Sequence, residues 1–318
     1  MSYCPVLIIG AGRSGTNMLR DVLTSLPKVG TWPCDEINYI WRHGNRDAPT
    51  DEFDATQATP EVQRFVRAAF ARLARKGRFA YVVEKTCANS LRIPFIHRIL
   101  PDARYIFIVR DPRDVVASAM KRWRAALDLP YILRKARYVP LTDFPYYGLR
   151  YARDRLFRLR SPENRLACWG PRFKGMRDML QRASLAEVCT AQWARCVSQA
   201  SADLATIDQS RVCRLSYESF VREPLTELRR LLDFLAIEVA ESDLADMAAG
   251  ISTANIGKWR RDLDDRTVVR IESLAAEVMV AQGYRPVARV SANAVTPENG
   301  DPATAAGEAP ERANAQIN

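Results

Sequence analysis

The sequence predicts an α/β fold in three layers, α/β/α, built around a central parallel sheet. Three observations predict it. Residues 5–9 (PVLII) form an apolar run fit for a buried strand, and they lead directly into the glycine-rich stretch GAGRSGTN at 10–17. Leu19, Val22, Leu23 and Leu26 then recur at the i, i+3, i+4, i+7 spacing of an amphipathic helix. Further apolar runs alternate with helical patterns along the chain, the order expected of βαβ units. A strand, a glycine loop and a helix N-terminus in that order aim backbone amides at an anion, which makes the fold P-loop-like.

The remaining elements follow in order. A polar stretch over 28–59, containing TWPCDEINY at 31–39, has no strong period and reads as a long functional loop. A helix is expected over 60–76, with Pro60 at its start and Gly77 just past its end. Residues 79–83 (FAYVV) read as a second buried strand, ending in Glu84, Lys85 and Thr86. A short helix near 93–100 precedes a third strand, YIFIV at 105–109, which runs into RDPRDVVAS at 110–118 and a helix. Residues 127–182 break this rhythm with Arg, Tyr, Phe, Trp and Pro, and are expected to form a lid-like insertion on the acceptor side. A long helix over 184–207, a fourth strand at 211–215, and helices near 225–235 and 266–282 complete a domain over 1–286. From 287 to 318 the chain is Ala, Pro, Asn and Glu without a period, so a disordered tail is expected.

Composition bounds the function. With 318 residues and 47% apolar content the chain can supply a sizeable core, and no apolar run approaches membrane-spanning length. The short apolar start lacks a basic flank and leads straight into the glycine loop, so a cytoplasmic protein without a signal peptide is expected. A net charge of +10 suits an anionic ligand, while no nucleic-acid motif accompanies it, so no nucleic-acid partner is expected. Seven cysteines without a C-x-x-C pair, and only His43 and His97 beside them, argue for reduced packing thiols and no metal site.

The glycine loop lacks the lysine of the nucleotide-hydrolysing pattern G-x-x-x-x-G-K-[ST]. Arg13, Ser14, Gly15 and Thr16 stand in its place. A literal G-x-G-x-x-G match at 10–15, with Asp35 and Glu36 further on, also fits a dinucleotide site, but the acidic pair follows GTWP, which is poor strand sequence. The second element weighs against that reading. Residues 110–118 sit at the end of a strand, where open parallel sheets bind ligands, and Arg110 with Ser118 offers a guanidinium fork and a hydroxyl suited to a second phosphate.

At this point the chain resembles the PAPS-dependent sulfotransferases, more closely the carbohydrate and tyrosylprotein type than the cytosolic small-molecule type. The resemblance rests on four motifs in order: residues 13–16, the R-x-P-x-D-x-x-x-S-like stretch at 110–118, Tyr217-Glu218, and Gly257-Lys258-Trp259. It implies that 3′-phosphoadenosine 5′-phosphosulfate (PAPS) is the donor and PAP the product. Arg13, Ser14, Gly15, Thr16 and Asn17 would hold the 5′-phosphosulfate, and Arg110 and Ser118 the 3′-phosphate. Tyr217 would lie near the adenine, with Lys258 and Trp259 in a closing loop. Arg13 and Lys85 would stabilise charge in flight, without a metal. Cys87 stands where small-molecule relatives carry a histidine, so Glu36 is the expected base, with His43 in reserve. A glycan or glycolipid is the expected acceptor. A kinase using ATP and magnesium, and a non-catalytic nucleotide- or anion-binding module, remain alternatives.

Overall fold

The computed structural model describes residues 3–124, 143, 149 and 168–287. Five strands form one parallel sheet: β1 (Cys4–Ile9), β2 (Val29–Gly30), β3 (Tyr81–Glu84), β4 (Arg104–Val109) and β5 (Val212–Ser216), in the order β2-β3-β1-β4-β5. The register sets Leu7 opposite both Glu84 and Tyr105, and Val109 opposite Ser216. The strand ends that carry the sequence motifs therefore lie side by side.

Alternate residues of each strand feed two cores, as a sheet covered on both faces requires. Val6, Ile8, Ile106, Ile108 and Leu215 face one way and meet Leu19 and Leu23 of α1 (Thr16–Leu23). On that face also lie α8 (Tyr217–Arg222), α9 (Pro224–Leu235) and α10 (Glu241–Ala249). Leu7, Ile9, Tyr105, Phe107 and Val109 face the other way. They pack with α3 (Pro60–Gly77), α4 (Ile93–Ile99), α5 (Pro112–Arg124), α7 (Leu185–Ala205) and α12 (Asp265–Ala281). Two short helices, α2 (Asn38–Trp41) and α6 (Met176–Arg182), flank this second core, and α11 (Trp259–Asp262) adjoins α5. Because α1 leaves β1 toward one face and α5 leaves β4 toward the other, their starts part and leave a crevice at the strand ends. That is the switch-point geometry of open α/β sheets.

Local sequence explains the helix limits. Ser184 and Glu187 form a reciprocal capping box at the start of α7, and Thr59 and Pro60 open α3. Gly77, expected beyond α3, is its last residue, and Arg78 takes the left-handed turn at φ 54°. Glycine at 77 serves a close approach instead: a Cβ there would lie 2.0 Å from the Phe79 ring. The stretch over 28–59 is not all loop, since Val29–Gly30 adds an edge strand and Asn38–Trp41 a helical turn. The insertion expected over 127–182 falls largely outside the described residues, as does the tail beyond 287. Among the described residues no helix is long and apolar enough to cross a membrane.

Candidate active site

A cleft of about 520 Å³ opens at the carboxyl ends of β1, β3, β4 and β5. Gly12, Arg13, Gly15, Thr16 and Asn17 form one wall, and Arg110, Ala117 and Ser118 another. Lys85, Asp35 and Glu36 close one end, with Tyr217, Asn255 and Lys258 also lining it.

The glycine loop is built around close approaches. Gly15 has φ +89°, and a Cβ there would lie 2.5 Å from the Tyr217 ring. Only glycine meets both conditions without strain. Arg13 is also left-handed, at φ 76°. Its Nε donates to Ser118 Oγ at 2.9 Å, and its carbonyl accepts from Arg110 at 3.0 Å. The loop and the second anion element are thus joined directly. Partial burial, with the guanidinium groups of Arg122 and Arg110 nearby, holds the Arg13 pKa below the ordinary arginine value. Crowded, partly desolvated cations of this kind favour a bound anion.

Arg110 is itself fixed from several sides. Its guanidinium lies 4.4 Å from the Tyr217 ring centroid, and it donates to the Asn255 carbonyl. Asp114, one turn on, accepts from the backbone amides of Gly257 at 2.7 Å and Trp259 at 3.0 Å, which ties the late loop to α5. Glu218 accepts from the Asp111 amide at 3.0 Å and from Tyr284 at 2.8 Å. Asn17 Oδ1 and Arg110 Nε are buried without a hydrogen-bond partner among the described residues. Orphan polar groups in a cleft wall are what a polar ligand completes.

At the other end, Lys85 Nζ donates to Asp35 Oδ1 at 3.1 Å and Glu36 Oε1 at 3.3 Å. Burial opposes the Lys85 charge, but Glu36 and Asp35 outweigh it and hold its pKa above the ordinary lysine value. Glu36 Oε1 also accepts from the Cys87 amide at 3.2 Å. Burial pushes the Cys87 thiol well up, so it is a neutral wall group.

The structure gathers Arg13, Gly15, Thr16, Asn17, Glu36, Lys85, Arg110, Ser118, Tyr217 and Lys258 on one cleft. It does not bring Ser14, Trp259 or His43 to that wall. Ser14 is fully buried. The guanidinium groups of Arg113 and Arg260 lie over the Trp259 ring, at 4.6 and 4.5 Å, and the Trp259 amide ties the late loop to Asp114. His43 stacks on Phe65 at 3.8 Å and pairs with Asp143 at 3.0 Å. Sequence reading named Asp35 only for a dinucleotide site, and gave no role to Asp114 within the 110–118 motif or to Trp169. The ring of Trp169 would lie 3.2 Å from a Cβ on Gly12 and lines the cleft. The acid four residues after Arg110 was the available signal for Asp114. Among the described residues no group of three or more His, Cys, Asp or Glu is placed to hold a metal ion.

A parallel sheet bearing a lysine-free phosphate loop, with a second cationic pocket beside it, defines an α/β nucleotide-binding protein. The chain belongs to the Sulfotransferase family, whose sequence model matches residues 5–168 and 164–241. A search of curated proteins gives no match. Among solved structures it is similar to sulfotransferase STF9 from Mycobacterium avium, with 14% identity, TM-score 0.53, and coverage of 91% of this chain and 79% of that one. It is also similar to the sulfotransferase domain from the curacin biosynthetic pathway, with 13% identity, TM-score 0.50, and coverage of 90% and 99%. At such identities the likeness speaks for the fold. A mouse sulfotransferase, SULT7A1, at 15% identity, TM-score 0.46 and coverage of 87% and 85%, was solved with PAP.

Proposed function

We propose that this protein moves a sulfuryl group from PAPS to a hydroxyl of a carbohydrate or glycolipid, releasing PAP. The observation that carries the reading is the bond from Arg13 to Ser118. It joins a phosphate loop without its lysine to a second anion pocket, as a nucleotide phosphorylated at both the 5′ and 3′ positions would need. Family membership supplies the reaction class.

The residues divide the work. The loop over 12–17 holds the 5′ end through its amides and Arg13. Arg110 and Ser118 hold the 3′-phosphate, and Lys258 closes over it, while Tyr217 supports Arg110 and faces the adenine side. Ser14 and Trp259 act from behind this wall, through loop shape and late-loop position. PAPS supplies an activated sulfuryl group, which carries less charge than a phosphoryl group and passes through a similarly loose transition state. Fixed cations and amides then suffice for the leaving phosphate, so no metal is required. Glu36 takes the acceptor hydroxyl proton, and Lys85, paired with Glu36 at 3.3 Å, supplies charge to the leaving phosphate. His43 is the less favoured base, since it does not line the cleft.

Trp169 offers an apolar face of the kind sugars stack on, which supports a glycan acceptor and an acceptor-side role for the stretch over 127–182. The catalytic domain spans 1–286 in this reading. All seven cysteines are free thiols, which suits a reducing, cytoplasmic compartment.

Incubation with sulfur-labelled PAPS and a panel of glycans, glycolipids, tyrosine peptides and simple alcohols tests it. Label transfer to a sugar hydroxyl is expected. Transfer confined to tyrosine or small alcohols overturns the acceptor class, and silence throughout favours a non-catalytic module.

A further inference from the structure

The stretch Glu84–Arg92 does more than supply Lys85. Glu84 ends β3 with its carboxylate at 1% exposure, away from the cleft wall. Its two oxygens accept from the Thr86 hydroxyl and, at 2.7 Å, from the Asn89 amide nitrogen. With Glu84 ionised, each acceptance fixes the polarity of the next group. A threonine hydroxyl has one proton, and Thr86 spends it on Glu84. Its oxygen is left to accept, and it accepts the backbone N–H of Ile37 at 3.2 Å. Asn89, with its amide nitrogen on Glu84, turns its oxygen to Arg92, which donates to it at 2.9 and 2.8 Å. Arg92 then donates to Asn38 Oδ1 at 2.7 Å.

Both branches end beside Glu36. The Ile37 amide belongs to the peptide that carries the Glu36 carbonyl, and Asn38 opens α2 one residue later. The Glu36 carboxylate itself rests on the Cys87 amide of the same stretch. The cleft end of the 28–59 loop is therefore held by one buried carboxylate through two hydrogen-bonded arms.

We propose that Glu84 is a positioning residue for the sulfuryl-transfer step, fixing the backbone at Glu36 through Thr86 and through Asn89 and Arg92. This rests on the reading of Glu36 as the base. Glu84 touches neither substrate; it acts by orienting the group that takes the proton. A misplaced base within an otherwise formed site costs turnover and spares donor binding, because Arg13, Arg110 and Ser118 are held by other elements.

The test uses the full chain, sulfur-labelled PAPS and the fastest acceptor of the panel above. Thr86→Val keeps side-chain shape and removes the relay hydroxyl; Thr86→Ser keeps the hydroxyl. Thr86→Val is expected to lower kcat by roughly 10²-fold, with the PAP dissociation constant and donor KM unchanged. Thr86→Ser is expected to restore most of that loss. In a Glu36→Ala background Thr86→Val is expected to add nothing. Hydrogen exchange at the Ile37 amide gives a readout free of activity: faster in Thr86→Val and Glu84→Gln, protected in Thr86→Ser. The relay is overturned, with Glu36 still the base, if Glu36→Ala is slow while Thr86→Val keeps kcat and Ile37 protection. Full turnover in Glu36→Ala overturns the base assignment and the relay together.

Discussion

Arg13 and Ser118 lie 105 positions apart in the chain and share a 2.9 Å hydrogen bond. The contact exists because β1 and β4 are neighbours in the sheet and release their loops side by side. Among the described residues Arg13 has no carboxylate partner, whereas Lys85 has two and Arg110 and Lys121 one each. Lys258, which donates to Asn255 Oδ1, likewise has no carboxylate partner among the described residues, so the proposed donor site has two cations open to an anion.

Arg13→Ala is expected to weaken PAP binding by about 10- to 100-fold, the loss typical of one or two charge-assisted hydrogen bonds. Ser118→Ala is expected to cost less, about tenfold or below, because its hydroxyl is neutral. Calorimetric titration with PAP checks both. The Arg13 effect should shrink as salt rises, as for any charge pair still in contact with solvent.

Gly15→Ala is expected to damage both stability and donor binding. The new methyl would sit 2.5 Å from the Tyr217 ring at φ +89°, a left-handed backbone. A loss of about 1–3 kcal/mol in chemical denaturation is expected from strain of this kind. Because Tyr217 carries the Arg110 guanidinium on its ring, PAP binding should fall with it.

Glu36→Gln separates binding from chemistry. PAP affinity should stay within about twofold, while turnover should fall by about 10²- to 10⁴-fold, the usual contribution of a positioned base. Paired measurements of PAP affinity and turnover check this. Unchanged turnover would remove Glu36 from the mechanism.

Glu84 gives a pH signature. Burial raises its pKa from 4.5 to about 7 in the folded protein. The folded state then binds a proton that the unfolded chain has already released. Its stabilising contribution is complete below about pH 4.5 and is lost as pH rises through about 7. The stability difference between the native protein and Glu84→Gln should therefore shift against the native protein from pH 5 to pH 8. Urea denaturation at several pH values reads that slope, and a flat difference would contradict the burial argument.

The central strands were legible because they are buried on both faces and appear as short continuous apolar runs between glycine- and arginine-rich turns. Residues 5–9 and 105–109 are the clearest examples. Strand β2 was not legible, since Val29 and Gly30 are two residues held at an edge by pairing with Tyr81 and Val82. Gly77 was misread because a helix-ending glycine and a glycine making room for Phe79 look alike in sequence. The cleft residues over 12–17 and 110–118 could be read because they cluster in two short motifs. The place of Trp169 and the pairing of Asp35 with Lys85 could not, because they depend on which loops the topology brings together, and the grip of Thr86 on Ile37 spans 49 positions.

The central claim is a nucleotide site for phosphates at both the 5′ and 3′ positions that works without magnesium. It is tested most directly by titrating the protein with PAP, with adenosine 5′-monophosphate and with ATP, each with magnesium and with chelator. PAP should bind tightest, at least about tenfold above the monophosphate for the added charge-assisted contacts of the 3′-phosphate, and chelator should change nothing. Tighter binding of ATP that collapses on removing magnesium would contradict the account and restore the kinase reading.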